Sequence, residues 1–223
     1  MKFSEFANYL EKLEATSSRL TLIEILSELF KKTPASEIEK IVYLTQGRIA
    51  PFFAPIEIGM AEKTVASSIA NAFDSSKEEV IKLYEKLGDM GKAAEQLSAR
   101  GPARRFPPAS APASLASRRT QSALSGSPSS SVTPRSSISV SEVFEILTQI
   151  ANTSGEGTVE KRQTLLSNLL SKLDPASAKH LVRVPLGNTR LEIGDPTILD
   201  ALATAKLGDK SKRKLLEGAY NRT

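Results

Sequence analysis

Apolar residues near the start of the chain fall at Phe3, Phe6, Leu10 and Leu13. Offsets of 0, 3, 7 and 10 put them on one face of a helix. The same offsets recur at Val140, Val143, Leu147 and Ile150. Ser4-Glu5 and Ser141-Glu142 stand at matching starts, with serine as the expected N-cap. Each run leads into a Leu/Ile-rich helical segment, "TLIEILSELFKK" in one case and "VEKRQTLLSNLLSKL" in the other. A third pair follows, "TPASEIEKIVYL" and "DPASAKHLVRV", in which Thr33 and Asp174 are the expected caps and Pro34 and Pro175 the first helical residues. Gly47 and Gly187 then close the third helix of each set, where a left-handed residue is often required.

Beyond these glycines the parallel continues. "IEIG" at 56–59 matches "LEIG" at 191–194, and each precedes another helix, "MAEKTVASSIANAF" or "DPTILDALATA". "KLYEKLGD" then parallels "KLLEGAYN". Ser76-Lys77-Glu78-Glu79 predicts a capping box at the start of the fifth helix. Five matches in one order indicate an internal duplication of about 95 residues per copy. The expected fold is all-α, with two pseudo-symmetric helical halves and no strand series. The first copy continues with "GDMGKAAEQL" whereas the second stops at "AYNRT". By internal symmetry the second half is expected to lack a terminal helix, as in a truncated fragment.

Residues 98–137 break the pattern. This stretch holds twelve serines and half of the chain's prolines. It cannot bury enough apolar surface to offset its ordering entropy, so it reads as a flexible linker between halves 1–97 and 138–223. Charge sharpens the division. The net +5 is the sum of −3 in 1–97, +6 in 98–137 and +2 in 138–223. The excess positive charge thus lies in the linker, whose six arginines serve either as weak phosphate contacts or as a solvated spacer. Any nucleic-acid site on the helical halves must rest on the placement of individual cations.

Much chemistry is excluded. There is no cysteine, so disulfides and thiolate metal sites are absent. His180 is the only histidine, and a lone histidine on a helix reads as structural. No apolar run approaches the ~20 residues of a membrane span, and the N-terminus has no signal-peptide pattern. An intracellular protein is expected, in cytoplasm and nucleoid, or in the nucleus of a eukaryote. "GEGTVE" at 155–160 lacks the third glycine and preceding strand of a dinucleotide fingerprint. "KLDP" at 172–175 places a proline where a nucleotidyl-transferring Lys-x-Asp-Gly carries glycine, so Lys172 is not a nucleophile. No catalytic residue and no metal or cofactor site is expected in this chain.

"LVRVPLGNTRLEIGDPTILDAL" at 181–202 resembles the N-terminal DNA-binding domain of ATP-dependent DNA ligases of the archaeal and eukaryotic replicative type. "TSGEGTVEKRQTLLSNLL", "LTQGRIAPFFAPIEIGMAEK" and "YEKLGDMGKAAEQL" extend the resemblance over both halves. It implies a domain lying along the minor groove on both sides of a nick. It also implies that the catalytic lysine belongs to a downstream adenylation domain, so this chain alone should not seal DNA. ATP and magnesium are implied only for those catalytic domains. The implied partners are nicked duplex DNA and the downstream catalytic domains; a sliding clamp is a further candidate partner, and a monomer with no membrane association is expected. Glycine turns let backbone N–H groups approach phosphate. The expected DNA-contacting residues are therefore Gly47, Arg48 and Gly59 in the first half and Gly155, Gly157, Lys161, Arg183, Gly187, Asn188, Arg190 and Gly194 in the second. Two positions depart from the family pattern: Asn188 replaces a usual lysine, and Glu192 replaces a usual glycine. The competing reading is a non-catalytic helical protein-interaction module.

Overall fold

A computed structural model describes residues 1–51, 53–100 and 138–220, and among these it is helical with no strand. In chain order the helices are α1 (Phe3–Glu14), α2 (Arg19–Lys32), α3 (Ala35–Thr45), α4 (Glu62–Ala72), α5 (Lys77–Leu87), α6 (Met90–Ala99), α7 (Val140–Asn152), α8 (Thr158–Leu170), α9 (Pro175–Arg183), α10 (Asp195–Leu202) and α11 (Arg213–Tyr220). Two short turns, Ala203–Leu207 and Lys210–Lys212, join α10 to α11. No helix among the described residues is long and apolar enough to cross a membrane. The all-α expectation holds. The linker at 98–137 lies outside the described residues except at its start, where Ser98 and Ala99 still belong to α6.

The apolar faces read from spacing are the core. Phe3, Phe6, Leu10 and Leu13 of α1 and Val140, Val143, Leu147 and Ile150 of α7 are all buried. Asp174 caps α9 as expected, its carboxylate accepting from the Ser177 amide at 3.0 Å. Gly47 and Gly187 both adopt left-handed conformations, at φ 74° and 66°. Behind them the backbone bonds match: the Arg48 amide donates to Tyr43 O and the Asn188 amide to Arg183 O.

Three expected caps sit elsewhere. Helices α1 and α7 start earlier than Ser4 and Ser141, because Lys2 and Ser139 form an antiparallel bridge that fixes where both helices begin. Ser139 and Glu142 make the reciprocal capping box of α7, and Ser141 instead donates to Glu37 at 3.0 Å. The Thr33 hydroxyl donates back to Leu29 O and ends α2, so α3 begins at Ala35. Ser76 accepts from the Glu79 amide, but the Glu79 carboxylate binds Arg100 and Ser75, so only half of that box forms.

Packing between the halves is reciprocal. The Phe3 amide donates to Ile138 O at 2.9 Å and the Val140 amide to Met1 O at 3.0 Å. α4 packs on α8, as α10 packs on α2; α3 lies on α7, as α1 lies on α9. Each half therefore completes its core with helices of the other.

The most extensive contact departs from this exchange: α6 of the first half lies along α9 of the second. Gly91 permits it. A Cβ there would stand 2.5 Å from Lys179 O and 2.9 Å from Arg183 Nε. Ala94, Leu97 and Ser98 carry the buried face on through α6.

Charged side chains are buried beside this crossing. Lys179 pairs with Glu11 at 2.5 Å and Glu14 at 3.0 Å. Arg183, 2 % exposed, holds Glu14 through two bonds of 2.9 and 3.0 Å and also binds Asp89. The Arg183 hydrogen bond, helped by Lys179, draws the Glu14 carboxyl down to about 2. Burial presses the His180 imidazole down to about 4 despite the attraction of Glu11. A neutral ring then donates Nε2–H to the Glu11 carboxylate at 2.7 Å. Glu11, Glu14 and His180 lie close enough to hold a metal ion. Their ligand atoms, however, are already engaged by Lys179, Arg183 and one another.

Two outcomes are expected. Gly91→Ala should lower stability by about 2 kcal/mol, because backbone oxygen rather than a flexible side-chain end blocks the methyl; an unchanged urea midpoint would contradict the close crossing. The pH dependence follows from linkage. Below its ordinary value of 6.5 His180 protonates in the unfolded chain, but in the folded chain it stays neutral down to about 4. Stability should therefore fall on the order of 2 kcal/mol on acidification through that window. Glu14 adds a further loss between 4.5 and about 2. Urea unfolding of His180→Gln across pH should show the first loss flattened.

Candidate nucleic-acid interface

The reciprocal packing brings both glycine loops to one place. Gly47, Arg48, Ile56 and Gly59 of the first half line a cleft of about 380 Å³ together with Pro185, Leu186 and Gly187 of the second. The Met60 amide donates to Pro185 O at 3.2 Å, locking the two loops edge to edge. A Cβ on Gly47 would lie 2.7 Å from the Thr189 methyl. Gly47 thus answers two constraints, a left-handed turn and a close neighbour. A second cleft of about 300 Å³ adjoins the first, sharing Met60 and Leu186 as its border. Asn188, Arg190, Tyr84, Gly88 and Asp89 line it, with Arg183 at its floor.

The sequence-predicted residues divide accordingly. Gly47, Arg48, Gly59, Gly187, Asn188 and Arg190 meet at these joined clefts. Gly194 is the N-cap of α10, and Asp195 after it pairs with Arg48 at 3.7 Å and accepts from Gln46 at 2.6 Å. The start of α10 therefore abuts the end of α3. Gly155, Gly157 and Lys161 line neither cleft and stand at the start of α8. Gly157 caps that helix at φ 71°, and Lys161 donates to Glu156 O at 3.2 Å. The nearby Arg162 bridges α8 to the first cleft by donating to Ile58 O at 3.4 Å.

Arg183 corrects the sequence reading. It does not reach outward as a phosphate contact; its guanidinium is enclosed by Glu14 and Asp89. Its place on α9 is covered by α6, which the local sequence does not reveal. Of Arg183 and Arg190, Arg190 is the outward one, its side chain 44 % exposed.

The backbone of this loop is unusual. Arg190 sits at φ 60° and Glu192 at φ 49°, both left-handed without being glycine. Leu191 and Ile193 turn inward while Glu192 turns out, and in the first half Ile58 turns inward and Glu57 out. The surface carries both signs: Arg48 and Glu57 line the first cleft, Arg48 pairs with Asp195, and the exposed Glu192 follows Arg190 in the loop. Spacing alone missed Asp89, Gly91 and Lys179. The pairs Glu11/Glu14 and Lys179/Arg183, each on one helical face, are a legible hint of complementary charge.

Residues 2–203 match a family model described as DNA ligase N terminus. A "Probable DNA ligase" of Dictyoglomus turgidum is 37 % identical across all of this chain, which covers 33 % of that protein. A "DNA ligase" of Staphylothermus marinus is 38 % identical over 99 % of this chain and 34 % of its own length. One from Saccharolobus solfataricus is 36 % identical, with the same coverage.

The chain belongs to the DNA ligase N-terminus family. It spans about one third of the length of these curated relatives. The backbone at Glu192 carries a stability prediction of its own. Glu192 lies in the left-handed region that glycine occupies without strain. Glu192→Gly is therefore expected to raise stability by up to about 1 kcal/mol, the relief of a left-handed side chain less the added freedom of the unfolded glycine. Thermal unfolding checks it, and a lower melting temperature would contradict the strain.

Proposed function

We propose that this domain binds nicked duplex DNA along the minor groove without sequence preference, as the DNA-binding portion of an ATP-dependent DNA ligase. DNA replication, repair and recombination inside the cell are the processes such an enzyme serves. The observation that carries the reading is the meeting of both glycine loops at one continuous surface, with Arg48 and Arg190 on it. Exposed turns of this kind suit sugar–phosphate contacts, which position a protein without reading bases. Exposed Phe53 and Ile56, on the loop leading into the first cleft, suit the apolar sugar edges of a groove. The interface comprises Gly47, Arg48, Gly59, Gly187, Asn188, Arg190 and Gly194, with Gly155, Gly157 and Lys161 as a separate contact. Arg183 supports it from beneath.

In this reading the two halves descend from an internal duplication joined by a flexible linker, and the copies grip the two sides of the nick. The catalytic domains of the longer protein hold ATP and magnesium and do the chemistry; a sliding clamp is a further partner. The same exposed Phe53 and Ile56 favour, as a second reading, a helical protein-interaction module.

Titration of nicked and intact duplex at two salt concentrations separates the readings. Arg48→Ala and Arg190→Ala should each weaken binding and reduce the slope of log K against log salt by about 0.9, the share of one phosphate. Affinity should be indifferent to base sequence. No binding at low salt would overturn the DNA reading in favour of the interaction module.

A further inference from the structure

Arg190 is an outward cation of the second half, yet what holds it belongs to the first. Its Nη2 donates to Gly88 O, and its Nε lies 3.5 Å from Asp89 Oδ2. Gly88 is the left-handed end of α5, at φ 64°, and Asp89 opens α6 by accepting from the Gly91 amide at 2.8 Å. Asp89 is itself fixed from below: it is 4 % exposed and bound by Arg183, which Glu14 holds in turn. Glu11, Glu14 and Asp89 pair with Lys179, Arg183 and Arg190, and Glu95 stands among the same charges, its carboxyl raised by burial.

Resting on the DNA-binding reading above, we propose that Asp89 is a positioning residue for DNA binding. With the Gly88 carbonyl it grips one edge of the Arg190 guanidinium and leaves Nη1 for an incoming phosphate. An arginine has many rotamers to lose on binding, and a held fork loses fewer. The hold also compensates the left-handed backbone at Arg190, a strain that a fold keeps where the surroundings fix it. Because the grip comes from the α5–α6 corner and the arginine from the second half, seating of α6 on α9 sets how Arg190 is presented. Asp89 lies beneath the guanidinium, so phosphate approaches the exposed edge without displacing it.

A double-mutant cycle on the full chain, titrated with nicked duplex, tests this. Asparagine keeps the size and capping ability of Asp89, and thermal unfolding verifies that the variant is folded. Asp89→Asn should weaken binding by about fivefold and reduce the salt slope toward that of Arg190→Ala. In the Arg190→Ala background the same change should have no effect. An equal loss in both backgrounds would make the role merely structural and overturn the proposal. Tighter binding by Asp89→Asn would overturn it too, since Asp89 would then compete with phosphate for Arg190. If Asp89→Asn does not fold, Arg190→Lys serves instead. It keeps the charge and loses the fork, and binding as tight as that of the unaltered protein would overturn the grip. A failure of the unaltered protein to bind DNA at low salt would instead sink the DNA-binding reading, and this inference with it. An intact titration with no dependence on Asp89 sinks the inference alone.

Discussion

The structure depends on the crossing of α6 over α9. It is the most extensive contact between the two halves, and a glycine allows it: a Cβ at Gly91 would stand 2.5 Å from Lys179 O. The crossing buries Arg183 and Asp89 together, and burial makes each depend on the other. Burial alone would raise the Asp89 carboxyl; the Arg183 hydrogen bond and charge outweigh it and hold it below its ordinary value. Removing Arg183 takes the main partner from both Asp89 and Glu14, whereas removing Asp89 leaves Arg183 paired with Glu14, so the loss of the arginine is the more costly of the two. The clasp is therefore a geometric specification: it fixes where α9 ends, and the loop carrying Gly187 and Arg190 begins at that end.

The exchange of helices between halves explains why one surface arises from two loops. Had each half folded on itself, the Gly47 and Gly187 turns would belong to two separate cores. Instead α4 lies on α8 and α10 on α2, and the Lys2–Ser139 bridge ties the starts of α1 and α7. The turns are brought edge to edge, close enough for Met60 to bond Pro185 and for Thr189 to touch Gly47. A surface assembled this way is braced by a backbone hydrogen bond between its loops, which suits recognition by shape and phosphate spacing. Its mixed charge, with Glu57 and Glu192 beside Arg48 and Arg190, argues against simple attraction to a polyanion and for placement of a few cations.

Helix periodicity made the core legible: the four positions read on α1 and the four on α7 are all buried, with Ala7 and Tyr9 of α1 buried besides. The glycine turns were legible too, because Gly47 and Gly187 follow runs that a left-handed residue must end. Caps were less so. Ser4, Thr33 and Ser141 are sound candidates by type, but a long-range bridge at residues 2 and 139 and a hydroxyl turned back to Leu29 decide otherwise. Arg183 was the informative failure. An arginine at a helix end before a glycine turn reads as exposed, and only the arrival of α6, some ninety residues earlier in sequence, encloses it. Nonlocal burial leaves no local trace, except that the enclosing helix must carry small residues such as Gly91 and Ala94 where it crosses.

The central claim is that the clasp makes the two glycine loops a single DNA-facing surface. Amide hydrogen exchange, with and without saturating nicked duplex, tests it most directly. Residues 47–60 and 185–194 should gain protection together, while the buried amides of α9 stay as slow as in the free protein. Protection of only one loop, or of neither, would contradict it.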